Sequence, residues 1–161
     1  QGQPGLLLVS GPNVMQGYLN QPEKTAEVLR DGWYNTGDIA EEDEDGFLRI
    51  TDRLSRFSKI GGEMVPHIKV EETLQEIAGT TEPVFAVTSI PDDKKGEKLI
   101  VLHTLPVEKL DDWLQQLSRS DLPALWRPRA DQFLHVPSLP YLGTGKLDLR
   151  RIRELALQGS S

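Results

Sequence analysis

PVFAVTSIPDDKKGEKLIVLHT, residues 83–104, decides the fold. Its two runs, Pro83 to Ile90 and Lys98 to Thr104, are rich in β-branched residues and predict two strands. The DDKKGEK segment between them is a turn, and its lysines belong to that turn rather than to a binding patch. On the N-terminal side, Ile68, Val70, Leu74 and Ile77 recur at helical spacing as far as Gly79, which has the place of a helix C′ residue. On the C-terminal side, a helix over Val107 to Arg119 carries Leu110, Trp113, Leu114 and Leu117 on one side, a core stripe rather than a cofactor contact. Arg129 to Val136 predicts a third strand. Asp148 then caps a last helix with Leu149, Ile152 and Leu155 facing inward. Upstream, Arg56 to Ile60 and Glu63 to Val65 pair as a hairpin across Gly61-Gly62. The expected class is α+β: a sheet of about three strands with helices packed on it and a hairpin beside it.

Residues 1–52 read differently. Pro22 to Leu29 opens with proline and stops before Asp-Gly, which suits a short helix. GWYNTGDIAEEDEDGFLRITDR, residues 32–53, gives a strand running into a tight turn, an acidic turn at Asp43 to Gly46, and another strand in Phe47 to Thr51. Residues 1–52 thus read as strand-rich with one short helix, a pattern apart from that of residues 53–161.

Composition excludes several function classes. The net charge of −7 argues against nucleic acid, which demands a basic footprint. No stretch approaches the roughly 20 apolar residues that span a bilayer. There is no cysteine, so disulfide and thiolate chemistry are excluded, and a reducing compartment fits. His67, His103 and His135 lack ligand spacing; no metal site is expected, and the three read as packed or surface residues. Charge is uneven, with acid at Glu41 to Asp45 and Arg127, Arg129, Arg150, Arg151 and Arg153 toward the C-terminus.

Two segments carry chemistry. LPYLGTGKLD, residues 139–148, sets Lys146 on a glycine-bracketed turn before a helix. It is not a phosphate-binding P-loop: Pro140 stands where the first glycine would be, and Leu147, which follows the lysine, cannot ligand a metal. A cation on such a loop can be delivered to a developing negative charge. In YNTGD, Asp38 ends an aromatic-led turn; its two acceptor oxygens match the two donors of a ribose cis-diol, or else its own backbone satisfies it.

Together with RLSRFSKIGGEMVPHIKVEE, residues 53–72, these motifs resemble the adenylate-forming superfamily of acyl-CoA synthetases, luciferases and peptide-synthetase adenylation domains. The resemblance implies ATP or AMP as ligand. Asp38 would hold both ribose hydroxyls, Arg53 would touch the ribose, and Tyr34 and Thr36 would lie on the nucleotide side. Lys146 would bridge the acyl carboxylate and the α-phosphate. It also implies Mg²⁺ with ATP, on ligands outside this chain, and a hinge at Asp52 to Ser55 about which the small domain turns. One face would present Lys146 for adenylation. Another would present Lys59 to Glu63, where Gly61 and Gly62 leave room for a pantetheine arm.

Within the superfamily, RFSKIGGEMV and LPYLGTGKLD look like the acyl-ACP synthetase part of the bacterial bifunctional 2-acylglycerophosphoethanolamine acyltransferase/acyl-ACP synthetases. Glu63-Met64 replaces the more usual aromatic or histidine followed by arginine, and the hinge reads Asp52, Arg53, Leu54, Ser55. The likeness implies a fatty acid substrate, acyl carrier protein as acceptor with CoA as the alternative, and a cytoplasmic enzyme or one on the cytoplasmic face of the inner membrane. Arg127, Arg129, Arg150 and Arg151 then form either a solvated face or a basic rim that steers an acidic carrier protein or the CoA phosphates. The superfamily's glycine-rich phosphate loop and adenine-side motif are absent from these residues, so the chain is expected to be a fragment, with the end of a large domain in 1–52. A detached module that only binds carrier protein is the alternative of another class.

Overall fold

A computed structural model describes residues 4–159. The chain divides into two compact units, Gln1–Ser55 and Arg56–Ser161. The class is α+β, with the expected three-stranded sheet, flanking helices and hairpin in the second unit.

The first unit is built on one long strand. Strand β1 spans Gly5–Val9, helix α1 Pro22–Val28, β2 Leu29–Arg30, β3 Trp33–Glu42 and β4 Leu48–Arg53. All three partners are antiparallel to β3. Strand β1 pairs with it from Tyr34 to Ala40, so β2 and β4 share its other edge, at Trp33-Tyr34 and at Asp38 to Glu42. Asp31 (φ 51°) and Gly32 (φ 80°) make the two-residue turn from β2 to β3, the positive-φ pair that matches strand twist. In the acidic turn, the Asp43 carboxylate accepts the N–H groups of Asp45 (3.1 Å) and Phe47 (2.9 Å). Among the described residues of this unit only Ala40 is a buried hydrophobe, while Leu6, Leu8, Trp33, Leu48 and Ile50 are exposed.

A 3-10 turn, Leu54–Arg56, carries the chain across the unit boundary, and a hairpin of β5 (Phe57–Ile60) and β6 (Glu63–Pro66) follows in the second unit. Helix α2 (His67–Ala78) follows and ends on Gly79 at φ 65°, the left-handed stop expected there. Strands β7 (Phe85–Asp92) and β8 (Gly96–His103) are antiparallel, and β9 (Phe133–His135) adds to β8 in parallel. Helices α3 (Leu110–Ser118) and α4 (Leu149–Gly159) complete the unit.

Alternation along the strands separates two cores. Phe85, Val87, Leu99 and Val101 face Val70 and Leu74 of α2 and Trp113 and Leu117 of α3. Ala86, Ile90, Ile100 and Leu102 face Ile152 and Ala156 of α4. Because both faces of β7 and β8 are covered, their sequence is nearly continuously apolar.

Three expectations shift. The third strand is only Phe133–His135: Ala130–Gln132 is a 3-10 turn, in which the Gln132 side chain accepts the Arg129 N–H and donates to Leu99 C=O at 2.5 Å, in place of a backbone ladder. The predicted helix from Val107 starts as a 3-10 turn and becomes α-helical at Leu110. Leu149 is 36% exposed, because the buried stripe of α4 is Ile152, Leu155 and Ala156, one turn later.

A buried ion pair ties these layers together. Arg56, the first residue of the second unit, pairs with Glu71 on α2, and the other oxygen of Glu71 accepts the Val87 N–H of edge strand β7 at 2.6 Å. Removing the carboxylate strands a buried guanidinium, so Glu71→Ala is expected to cost about 3–5 kcal/mol in a denaturant titration. Beside it, His67 is buried with Nε2 2.5 Å from Ser58 Oγ, and burial first, then the Arg56 charge, lowers its pKa to about 3. The folded chain therefore keeps His67 neutral where the unfolded chain, at about 6.5, takes up a proton. Its contribution is complete above pH 6.5 and declines as pH falls toward 3, by up to about 1.4 kcal/mol per pH unit. Stability measured against pH is expected to lose that component in His67→Gln.

Candidate functional site

In the first unit the YNTGD segment is a bulged strand. Between the pairs Leu6↔Ile39 and Leu8↔Asn35, β1 contributes one residue and β3 three. Thr36 fills the gap: its hydroxyl donates to Leu7 C=O (2.9 Å) and accepts the Asp38 N–H (3.0 Å), while Asn35 Oδ1 accepts the Gly37 N–H (2.9 Å). Gly37 takes φ 73°, a left-handed conformation in which a side chain would be strained. A second irregularity lies on the β4 side, where the Thr51 hydroxyl donates to Ile39 C=O at 3.3 Å.

These bulges bring Asp38 opposite Arg53. The two are register partners, Arg53 Nε lies 2.7 Å from Asp38 Oδ1, and the aspartate side chain is 15% exposed against 68% for the arginine. The Tyr34 phenol is raised above its ordinary pKa, chiefly by its hydrogen bond to Tyr18, with a smaller contribution from the Asp38 charge. Lys24 sits over the Tyr18 ring at 4.8 Å. Asp38, Arg53 and Tyr34 are thus gathered, whereas the Thr36 hydroxyl is used within the backbone. Tyr18 joins them with no signal in the sequence, since it lies outside the motif and reaches Tyr34 only through the fold. The Asp52 side chain lies outside the described residues, and Ser55 is exposed in the 3-10 turn at the unit boundary.

In the second unit Lys146 sits on a braced turn. The Leu142 N–H donates to the Lys146 carbonyl (2.8 Å), Gly145 N–H to Leu142 C=O (2.9 Å), and Asp148 N–H to Pro140 C=O (2.9 Å). Asp148 then caps α4, its carboxylate accepting the Arg151 N–H at 3.0 Å. The Lys146 side chain is exposed, and no described residue makes a hydrogen bond or ion pair with its ammonium. Its neighbour Leu147 borders the same pocket as Pro83 and Phe85. Gly61 and Gly62 lie at the opposite end of the sheet, with φ 56° and 93°: the Gly61 N–H donates to Lys95 C=O (2.9 Å) and the Lys59 N–H to Glu97 (2.7 Å). The strand between, Phe85 to Asp92, is about 23 Å long. A Cβ placed on Gly62 would meet nothing within 4 Å.

The arginines do not form a rim. Arg127 donates through Nε to Leu122 C=O (2.8 Å), through Nη1 to Ser118 C=O (2.8 Å) and through Nη2 to Ser120 C=O (3.0 Å), so it clamps the loop after α3. Arg129 pairs with Asp131 two residues away. Arg150 and Arg151 both reach Glu154 on α4, at 3.9 and 2.9 Å. Helix α3 and helix α4 pack on opposite faces of the sheet, which separates Arg127 from Arg150 and Arg151. Among the described residues no group of three or more His, Asp or Glu could hold a metal ion, and no helix is long and apolar enough to cross a membrane.

No protein-family model matches the chain. It is 38% identical over 152 residues to a feruloyl-CoA synthase of Amycolatopsis sp., covering 91% of this chain and 29% of that protein. It is 37% identical over 157 residues to a long-chain-fatty-acid–CoA ligase of Salmonella typhimurium, covering 96% and 27%. The fold matches ATP-bound MatB from Rhodopseudomonas palustris with a TM-score of 0.78 at 26% identity, over 100% of this chain and 32% of that one. The chain thus spans less than a third of the length of these proteins. The matches support the adenylate-forming acyl-CoA synthetase and ligase superfamily, and the fold is that of its C-terminal part.

The clamp made by Arg127 gives a direct test. Arg127→Ala leaves three carbonyls without their donor and is expected to lower stability by about 1–3 kcal/mol. Arg150→Ala is expected to leave the unfolding midpoint unchanged, since an exposed pair of this length contributes little.

Proposed function

We propose that the chain is the C-terminal part of an ATP-dependent acid:thiol ligase that activates a fatty acid at its carboxylate and passes the acyl group to a pantetheine thiol. The observation that carries this reading is the ammonium of Lys146, which has no partner among the described residues and is held on a turn whose backbone is braced. The exposed apolar residues of the first unit, Leu6, Leu8, Leu48 and Ile50, fit a sheet that further chain completes.

The residues suit a nucleotide. The Asp38 carboxylate is largely shielded, set by the bulge and fixed in direction by Arg53, and its oxygens are the acceptors that a ribose cis-diol requires. ATP supplies the leaving group: the fatty acid oxygen attacks the α-phosphorus, and the bond to pyrophosphate breaks. Lys146 neutralises negative charge gathering on the phosphoryl oxygens and so stabilises the transition state more than the ground state. Gly62, next to Gly61 in the turn, leaves open backbone for the pantetheine arm, whose thiol then attacks the acyl carbon and displaces AMP. Ser55 and Asp52 lie where the chain passes between the units and are the proposed hinge. The cytoplasm, where ATP and a pantetheine thiol are both available, is the proposed location.

CoA is the favoured acceptor, because the relatives are named as CoA ligases. Acyl carrier protein is the second reading, favoured by RFSKIGGEMV with its Glu63-Met64 pair and by the likeness of that segment to acyl-ACP synthetases. In the full-length enzyme, Lys146→Ala is expected to slow adenylation by roughly 10²–10³. Thioester formation from supplied acyl-adenylate, followed with CoA and with holo-carrier protein in parallel, should fall far less. Equal loss in both half-reactions would remove Lys146 from the first step, and the faster acceptor in the second identifies the physiological thiol.

A further inference from the structure

A cavity of about 620 Å³ opens between α2, α3 and the loop that follows α3, on the sheet face that α4 does not cover. A volume of that size suits a small ligand. The least exposed residues of its lining are apolar: Leu122 is buried, and Ile77 and Trp126 are half-buried against the same core. They make a floor with an aromatic ring in it.

The walls above this floor are charged. Lys69, Thr73, Glu76 and Ile77 line the cavity from α2, and their spacing puts them on one face of the helix. Seven residues of helix separate Lys69 from Glu76, a rise of about 10 Å. The α2 wall therefore has a cation at one end and a carboxylate at the other. Arg119 and Asp121 repeat the two signs on the loop wall. Among the described residues none of these four side chains has an ion-pair partner.

The loop wall is also preformed. Arg127 draws in the carbonyls of Ser118, Ser120 and Leu122, while the side chains of the residues between them, Arg119 and Asp121, line the cavity. The Ser120 hydroxyl is tied down as well, donating to Leu117 C=O at 2.8 Å. A wall fixed in advance loses little freedom when a ligand arrives.

The balance of charge selects the ligand. Two cations face two carboxylates, so a phosphate or another polyanion gains no net attraction, and a neutral apolar molecule leaves every charge unanswered. A zwitterion with an apolar body answers both ends and the floor. Extended polypeptide rises about 3.3 Å per residue, so three residues cover the 10 Å or so between Lys69 and Glu76. We propose that this cavity binds a short apolar peptide with free termini, about three residues long, with its carboxylate at Lys69 and its ammonium at Glu76. The site is separate from Asp38, Lys146 and the glycine hairpin, and it does not depend on the ligase reading.

The test is calorimetric titration of the full-length protein with trileucine, with its N-acetyl form and with its C-terminal amide. Each blocked peptide is expected to bind about two- to fivefold more weakly than trileucine, the scale of one exposed charge pair. Lys69→Gln should abolish the effect of amidation and keep that of acetylation; Glu76→Gln should do the reverse, because each variant removes the partner of one terminus. Both residues are exposed, so the unfolding midpoint should not move and serves as the control. The inference is overturned if trileucine does not bind, if the blocked peptides bind as tightly as the free one, or if the losses from variant and blocking simply add. Tighter binding of the doubly blocked peptide overturns it too, by giving the cavity to an internal stretch of a protein chain. None of these outcomes bears on adenylation, so the ligase reading stands or falls by its own experiment.

Discussion

The Glu71 carboxylate is the constraint on which the second unit depends. Strand β7 is an edge strand, so the N–H of Val87 has no ladder partner on its outer side, and an unpaired buried donor is costly. Glu71 reaches from α2 to accept it, and with its other oxygen it neutralises Arg56, the residue at which the unit begins. One side chain thereby joins the entry of the chain, the first helix and the sheet edge. Ser58 and His67, buried next to it, complete a polar seam under the hairpin. That seam sets the hairpin against α2, and the hairpin in turn receives the β7–β8 turn.

A comparable logic positions Asp38. A regular strand alternates faces, and an aspartate in it would follow the alternation. Extra residues in β3 interrupt the period, and two threonine hydroxyls, Thr36 and Thr51, supply the hydrogen bonds that the irregular ladder lacks. The consequence is a carboxylate turned toward Arg53 and shielded from solvent. The motif residues thus have two kinds of role. Asp38 and Arg53 present charged groups, while Thr36 and Gly37 make the backbone shape that sets those groups in place.

The second unit keeps its two candidate sites apart. Lys146 lies toward the Phe85 end of the sheet and Gly61-Gly62 at the Asp92 end, and the strands between are braced on both faces by helices. With about 23 Å of strand between them, one partner surface of small extent meets one end or the other. In the ligase reading, this is the physical reason that two steps of one reaction would need two presentations of the same unit.

Much of this is legible in the residues. Periodicity locates α2 and its Gly79 stop, β-branched runs locate β7 and β8, and Asp148 announces the cap of α4, because these depend on interactions between near neighbours. The turn residues Asp31-Gly32 and Gly61-Gly62 are equally local. The parallel pairing of β9, the use of Gln132 in place of a ladder bond, and the arrival of Tyr18 beside Tyr34 are not legible, since each joins segments far apart in sequence. Charge is the least legible of all. The C-terminal arginines look like a cluster along the chain, yet packing puts Arg127 on one face of the sheet and Arg150 and Arg151 on the other, and gives Arg127 backbone partners and Arg129, Arg150 and Arg151 local carboxylates. The sequence determined which residues could carry charge and where the chain would turn; only the tertiary structure decided which charges remained available, because a charge is used up by whatever partner packing brings within reach.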